Sequence, residues 1–128
     1  MKKYLFIAFL LIPTICFAAF QEKQLGQRRL SAVAESIYSP AAGVTAVIKS
    51  VVVSNVQGSK ANLFLYLDDD GTTYDQSTAM MYDLVIASST TVEVHTFWPM
   101  NNSSGNVAAR SNASSYLTVT IFGAEIQE

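Results

Sequence analysis

Residues 44–54 read VTAVIKSVVVS, the stretch of this sequence that decides its fold. The stretch is rich in β-branched residues, begins after Gly43 and is followed by the turn sequence QGSK at residues 57–60, a combination typical of a β-strand. Residues 62–67, NLFLYL, place leucines on one side of a second strand and mainly aromatic residues on the other. Two segments of period two that flank a turn indicate an antiparallel β protein.

The same period of two continues towards the end of the chain. Further strands are predicted over residues 81–87, 91–98, 107–110 and 117–122, each bounded by glycine, asparagine, serine or proline. Turn signals recur roughly every eight to twelve residues, and no window after the first thirty residues has the period of a helix. We predict an all-β fold, an antiparallel β-sandwich (jelly-roll or Ig-like) of about seven to eight strands.

The first eighteen residues have a different character and predict export. Met1 is followed by two lysines, residues 5–17 carry no charge, and Cys16 and Ala18 are small residues at the −3 and −1 positions of a cleavage site. This order is that of a signal peptide at residues 1–18, a hydrophobic leader helix that directs the chain to the periplasm or the extracellular space. An uncleaved membrane anchor at residues 4–20 is the alternative, because 17 uncharged residues can just span a bilayer.

Composition limits the other function classes. The 128 residues suit one domain, and a net charge of −2 with 14% charged residues does not favour nucleic acid as a partner. A single cysteine cannot form an internal disulfide bond. Loss of residues 1–18 would leave six basic and ten acidic residues, a net charge of −4. We predict an N-terminal arm at residues 19–30 and a β-sandwich domain at residues 31–128.

His95 is the one histidine, and it lies in a predicted strand between Val94 and Thr96. A Ser-His-Asp mechanism needs a serine nucleophile held by a local motif, and the sequence has no Gly-x-Ser-x-Gly elbow. We therefore predict that the protein is not an enzyme and that it needs no cofactor.

The densest group of carboxylates follows the second strand, in the sequence DDDGTTYD at residues 68–75. Asp68, Asp70 and Asp75 are candidate ligands for Ca²⁺, which prefers several oxygen atoms on a flexible loop. The spacing of an EF-hand is absent, however, and Asp-Gly is also ordinary turn chemistry. The sequence favours the turn, so no metal site is predicted.

Aromatic residues cluster near two predicted loops. Tyr74 and Tyr82 flank the acidic turn, and Trp98 ends a strand before a proline. These three are candidate binding residues, which would stack on a surface glycan or contact a neighbouring subunit. As the structural alternative, they would close the open ends of a sandwich.

Four segments resemble a known class of proteins: DDDGTTYD (68–75), FWPM (97–100), GNVAAR (105–110) and LTVTIFGAE (117–125). They are similar to small all-β structural proteins of bacteriophages, the virion accessory proteins of the decoration or fibre type. The resemblance extends over residues 25–125, here with an added signal peptide. It implies a virion subunit, or a phage-derived domain exported by its host.

The leading hypothesis from the sequence is a non-enzymatic structural subunit that assembles into a homo-oligomer. One alternative is an exported surface or filament subunit, whose N-terminal arm at residues 19–30 pairs with a neighbour's sheet edge. Another is a secreted carbohydrate-binding or Ca²⁺-dependent module. In each case, contact with a membrane would occur only through an uncleaved leader.

Overall fold

The computed structural model describes residues 20–127, which form eight β-strands. The strands are β1 (Phe20–Arg29), β2 (Glu35–Tyr38), β3 (Val44–Asn55), β4 (Ala61–Asp68), β5 (Ala79–Ile86), β6 (Thr91–Met100), β7 (Asn106–Ser111) and β8 (Leu117–Gln127). Between residues 20 and 127 there is no helix long and apolar enough to cross a membrane. The predicted signal peptide, its cleavage site and the leader helix lie outside the described residues.

The strands form two antiparallel sheets of four strands each, which confirms the all-β prediction. The first sheet has the order β1-β8-β3-β6, and the second has the order β2-β7-β4-β5. Four of the pairings are nested along the chain: β4 with β5, β3 with β6, β2 with β7 and β1 with β8. Strands distant in sequence therefore become neighbours, and the edges of the sheets are β1, β6, β2 and β5.

The two sheets enclose one hydrophobic core. Alternate residues of the long strands face inward, which removes their apolar surface from water and supplies the main stabilising free energy. Fully buried side chains come from both sheets: Ile48, Val51, Val53, Val119 and Ile121 from the first, and Leu63, Leu65, Ile86, Val107 and Ala109 from the second. Val94 lies opposite the buried Val51, yet it is only half-buried because β6 is an edge strand.

Residues 20–29, which lie within the predicted N-terminal arm at residues 19–30, form β1 at the edge of the first sheet. This strand pairs with β8 from Phe20 opposite Ile126 to Arg29 opposite Thr118. The ladder pairs the backbone groups of β1 that face β8, and a hydropathy pattern contains no information on such pairing. Among residues 22–29, Leu25 is the apolar side chain that packs against the core, so the strand has little hydrophobic signal.

The first sheet is irregular on both sides of Phe122 in β8. In β1, one extra residue, Leu25, lies between the residues that pair with Phe122 and Ile121. In β3, one extra residue, Lys49, lies between the residues that pair with Phe122 and Gly123. Such insertions increase the local twist of a strand. The next residue of β8, Gly123, approaches β3 so closely that an added Cβ would clash with the carbonyl oxygen of Val47. The irregular region therefore requires a glycine at position 123.

Candidate functional site

The acidic loop between β4 and β5 holds itself together through its own carboxylates. Asp68 is buried, and its Oδ2 accepts a hydrogen bond of 2.7 Å from the backbone N–H of Thr73. Its Oδ1 accepts a longer one, of 3.4 Å, from the N–H of Asp70. The bond from Thr73 is the main cause that lowers the pKa of Asp68, because it favours the ionised form. Asp68 thus acts as the anchor of the loop.

Asp75 has a comparable role at the far end of this loop. Its Oδ1 accepts hydrogen bonds from the hydroxyl group of Ser77 at 2.6 Å and from the backbone N–H of Ser77 at 2.7 Å. These two bonds lower the pKa of Asp75. Asp69 and Asp70 are exposed at the tip of the loop.

A metal site is not assembled from these residues. Within residues 20–127, no three histidine, cysteine or acidic side chains are placed so that they could hold a metal ion. The amide oxygen of Asn106, opposite Asp68 in the ladder, is buried without a hydrogen-bond partner in the described part of the chain. The candidate ligands Asp68 and Asp75 are instead engaged with backbone N–H groups.

Two of the three candidate aromatic residues lie over the outer face of the second sheet. Tyr82 in β5 meets Phe64 in β4 edge-to-face, with ring centroids 5.1 Å apart. Tyr74, in the β4–β5 loop, lies over Tyr66 with centroids 6.1 Å apart. Phe64 and Tyr66 are alternate residues of β4 and share this outer face, because the leucines between them face the core.

Arg110 in β7 joins these two aromatic pairs. Its Cζ lies 3.7 Å from the centroid of the Phe64 ring, and its Nε donates a hydrogen bond of 3.1 Å to the hydroxyl group of Tyr66. We call the five residues Tyr82, Phe64, Arg110, Tyr66 and Tyr74 the arginine–aromatic row. The sequence does not single out Arg110, since only the ladder between β4 and β7 places it opposite Phe64.

Trp98 is separate from this row. It lies in β6 of the first sheet, opposite the buried Ile48, and packs against the core in a half-buried position. The structure therefore brings Tyr74 and Tyr82 to one face, whereas Trp98 lies in the other sheet and packs against the core.

Strand β5 exposes an unusual amount of apolar surface for an edge strand. Met80, Tyr82, Leu84 and Val85 are all exposed, with 51% of Tyr82 and 55% of Val85 accessible to solvent. We call these four residues the β5 patch. They are half of the eight large hydrophobic residues exposed in the described part of the chain. Clustered apolar residues on a surface mark contact sites, whereas single ones are ordinary.

The middle of β5 does not follow a regular ladder. Leu63 pairs with Leu84 and Leu65 pairs with Met81, so β5 has one more residue than β4 in this interval. Asp83 lies in the bulge with a φ of 58°. Its carboxylate accepts a hydrogen bond of 2.6 Å from the amide of Asn62 in β4. The one charged residue of β5 is thereby directed back to its own sheet.

His95 lies on the edge strand β6 with its side chain largely in solvent. Its side chain is 82% exposed, and its Nδ1 is 3.9 Å from the carboxylate of Glu93, two residues earlier in β6. No serine hydroxyl group in the described residues is hydrogen-bonded to it.

Comparison with known proteins finds little. No family model matches the chain, and no curated protein matches it. A structure of the infectious bursal disease virus Gx strain matches with a TM-score of 0.42 and 10% sequence identity. The match covers 94% of this chain but 44% of the viral chain, so this chain spans less than half of that length. A likeness with this TM-score supports no conclusion about the fold or function of this chain. The resemblance to phage accessory proteins stays a prediction.

Proposed function

We propose that this protein is a non-enzymatic structural subunit that assembles with copies of itself through the β5 patch. The observation that carries the proposal is the concentration of exposed apolar side chains on one edge strand. An edge strand of a monomeric protein is normally protected by charges, prolines or short length. Over its eight residues, β5 has no lysine, arginine or proline.

A second copy of the chain is the occupant that fits this patch. After export the subunit would carry a net charge of −4, so two copies repel each other over most of their surfaces. The β5 patch is apolar, and its single carboxylate, Asp83, is held against Asn62. Contact at β5 therefore brings a strand with one exposed charge to the partner, the carboxylate of Asp83, which already accepts a hydrogen bond from Asn62. With a twofold axis near the patch, the same residues of each copy would form both halves of the interface.

The bulge at Asp83 determines the kind of contact. A regular edge strand would invite a continuous ladder and open-ended growth, whereas a bulge interrupts such pairing. We therefore expect the β5 patches to meet mainly through the side chains of Tyr82 and Val85, which lie on the outer face of the second sheet beside Phe64 and Asn62. This mode favours a closed oligomer over a fibre.

The nested strand order supports a jelly roll over an immunoglobulin-like arrangement. In a jelly roll, eight strands are divided between two sheets by two Greek keys, and the fold occurs in viral capsid and lectin domains. A virion accessory protein of the decoration or fibre type is the specific form of the proposal. An exported surface or filament subunit remains the alternative, with periplasmic or extracellular localisation after cleavage of the leader.

Sedimentation velocity at micromolar concentration tests the proposal with a matched pair of variants. Val85→Glu introduces a charge into the β5 patch, and Val56→Glu introduces the same charge at a valine of equal exposure, 55% against 56%, in the β3–β4 loop. The wild type and Val56→Glu should form the same discrete oligomer, whereas Val85→Glu should be monomeric. A monomeric wild type, or equal behaviour of the two variants, would exclude assembly through β5. Polydisperse wild-type polymers would favour the filament alternative.

A further inference from the structure

We propose that the arginine–aromatic row is a binding site for an acidic saccharide, a sugar that carries a carboxylate. Tyr82 belongs both to this row and to the β5 patch, so assembly through β5 would cover one end of the site, whereas Arg110 lies on an inner strand of the second sheet. The inference begins from Arg110, whose positive charge has no anionic partner among the described residues.

Three cations among the described residues have no ion pair, Arg29, Lys60 and Arg110, and Arg110 is the one of these that is half-buried. Lys23, Arg28 and Lys49 each lie within 4 Å of a carboxylate. No ion pair within residues 20–127 includes Arg110, although its side chain is half-buried. Since a guanidinium group stays charged at every physiological pH, partial burial without an anion has an energetic cost. A bound carboxylate would offset that cost.

The guanidinium group is already oriented for such a ligand. The ring of Phe64 fixes one face of its plane, and the hydroxyl group of Tyr66 fixes the Nε edge. No described residue accepts a hydrogen bond from Nη1 or Nη2. These two nitrogen atoms form a fork that binds a carboxylate through two parallel hydrogen bonds. Because the group is held before binding, little side-chain entropy is lost when the ligand arrives.

The aromatic neighbours favour a saccharide over a bare carboxylate. Tyr82 and Tyr74 lie at the two ends of the row, and both are at least partly accessible. From β5 to β7 the row crosses two strand spacings, roughly 10 Å. The hydroxyl group of Tyr82 is 3.4 Å from the side-chain amide of Gln76, which adds hydrogen-bonding groups beside a ring. Flat apolar rings next to polar groups match the surface of a sugar, whereas an aspartate or glutamate side chain would use the fork alone.

Isothermal titration with two acidic probes and a neutral one tests the site. Trigalacturonic acid and 3′-sialyllactose both carry a carboxylate and distinguish a uronic acid from a sialic acid, and lactose carries none. We expect at least one acidic probe to bind and lactose to give no signal. Arg110→Lys retains the charge but lacks the fork, so it should weaken binding at least tenfold. The matched control Arg29→Lys, at an arginine bonded to the carbonyl oxygen of Ser115, should bind as the wild type does.

Tyr74→Ala provides an independent variant, because Tyr74 lies in a loop outside the core cluster. It should keep the fold, measured by circular dichroism, and weaken the same probe at least threefold. The inference would be overturned by failure of both acidic probes at millimolar concentration, by equal binding of lactose, or by equal loss in Arg29→Lys. It would also be overturned if Arg110→Lys changed the sedimentation of the protein instead of sugar binding, since Arg110 would then serve a carboxylate of a second copy.

Discussion

The hydroxyl group of Tyr38 donates a hydrogen bond of 2.9 Å to Oε1 of Glu125 and so connects the two sheets. Tyr38 lies in β2 of the second sheet, and Glu125 lies in β8 of the first. The other oxygen of the carboxylate, Oε2, is 2.5 Å from Nζ of Lys23 in β1. A phenol, a carboxylate and an ammonium group thus connect β2, β8 and β1.

This arrangement predicts a pH-dependent stability. The bond from Lys23 is the largest cause that lowers the pKa of Glu125, burial opposes it, and the bond from Tyr38 adds to the lowering. Because the folded pKa lies below the unfolded value of about 4.3, the contribution is complete above that pH and is lost as the pH falls through the folded pKa. In urea titrations, Glu125→Gln should be less stable than the wild type at pH 7, and the difference should shrink towards pH 3.

Two further variants test the assignment to this cluster. Tyr38→Phe should cost about 1–3 kcal/mol at pH 7, since it removes a hydrogen bond to a charged group. Glu93→Gln, on the exposed strand β6, should stay within about 0.5 kcal/mol of the wild type. A difference between Glu125→Gln and the wild type that is the same from pH 7 to pH 3 would refute the role of the ionised carboxylate.

Gly123→Ala should destabilise the domain by about 1–3 kcal/mol, because the new methyl group would overlap the backbone of β3. The matched substitution Gly58→Ala places a methyl group in open space in the β3–β4 loop. It should leave the midpoint of thermal unfolding unchanged or raise it slightly. Equal melting temperatures for the two variants would mean that β3 and β8 can separate at this point without cost.

Sequence reasoning recovers the strands that are rich in β-branched residues or in which aliphatic residues recur at every second position. The predicted strand at residues 44–54 is β3 to within one residue, and Leu63 and Leu65 are buried as the period of two requires. Strand β1 is not predicted because its ten residues include only two large apolar ones, Phe20 and Leu25. What holds it in place is the ladder with β8, almost a hundred residues later, and no local pattern contains that pairing.

In the candidate site too, local sequence indicates some of the residues, whereas only the fold brings the others together. Tyr74 and Tyr82 could be selected from the sequence, because aromatic residues near turns are conspicuous. Their grouping with Arg110, and the separation of Trp98 from them, depend on which strands share a sheet. That choice follows from the long-range order of β4, β5, β6 and β7, so it is visible only in the folded domain.

Addition of Ca²⁺ should not change the thermal stability of the protein. The carboxylates of Asp68 and Asp75 already accept backbone hydrogen bonds, and successive residues at a strand end point to opposite sides. Melting curves in millimolar CaCl₂ and in chelator should therefore overlap, whereas a ligand at a hundred times its Kd would add about 2.7 kcal/mol. An upward shift that Asp70→Asn abolishes would establish a Ca²⁺ site in the loop.

The leader should be removed during export. When the full chain is expressed in a Gram-negative bacterium, mass spectrometry should find Ala19 at the amino terminus of protein recovered outside the cytoplasm. Protein with an intact Met1 in the membrane fraction would instead establish residues 4–20 as an anchor.

Cysteine cross-linking at the β5 patch tests the central claim most directly. In a Cys16→Ser background the chain has no other cysteine, so Val85→Cys and Val56→Cys each present one thiol at nearly equal exposure. A short bis-maleimide should convert most of the Val85→Cys protein at micromolar concentration into a covalent dimer and leave Val56→Cys monomeric. Efficient cross-linking at position 56 with none at position 85 would contradict assembly through β5.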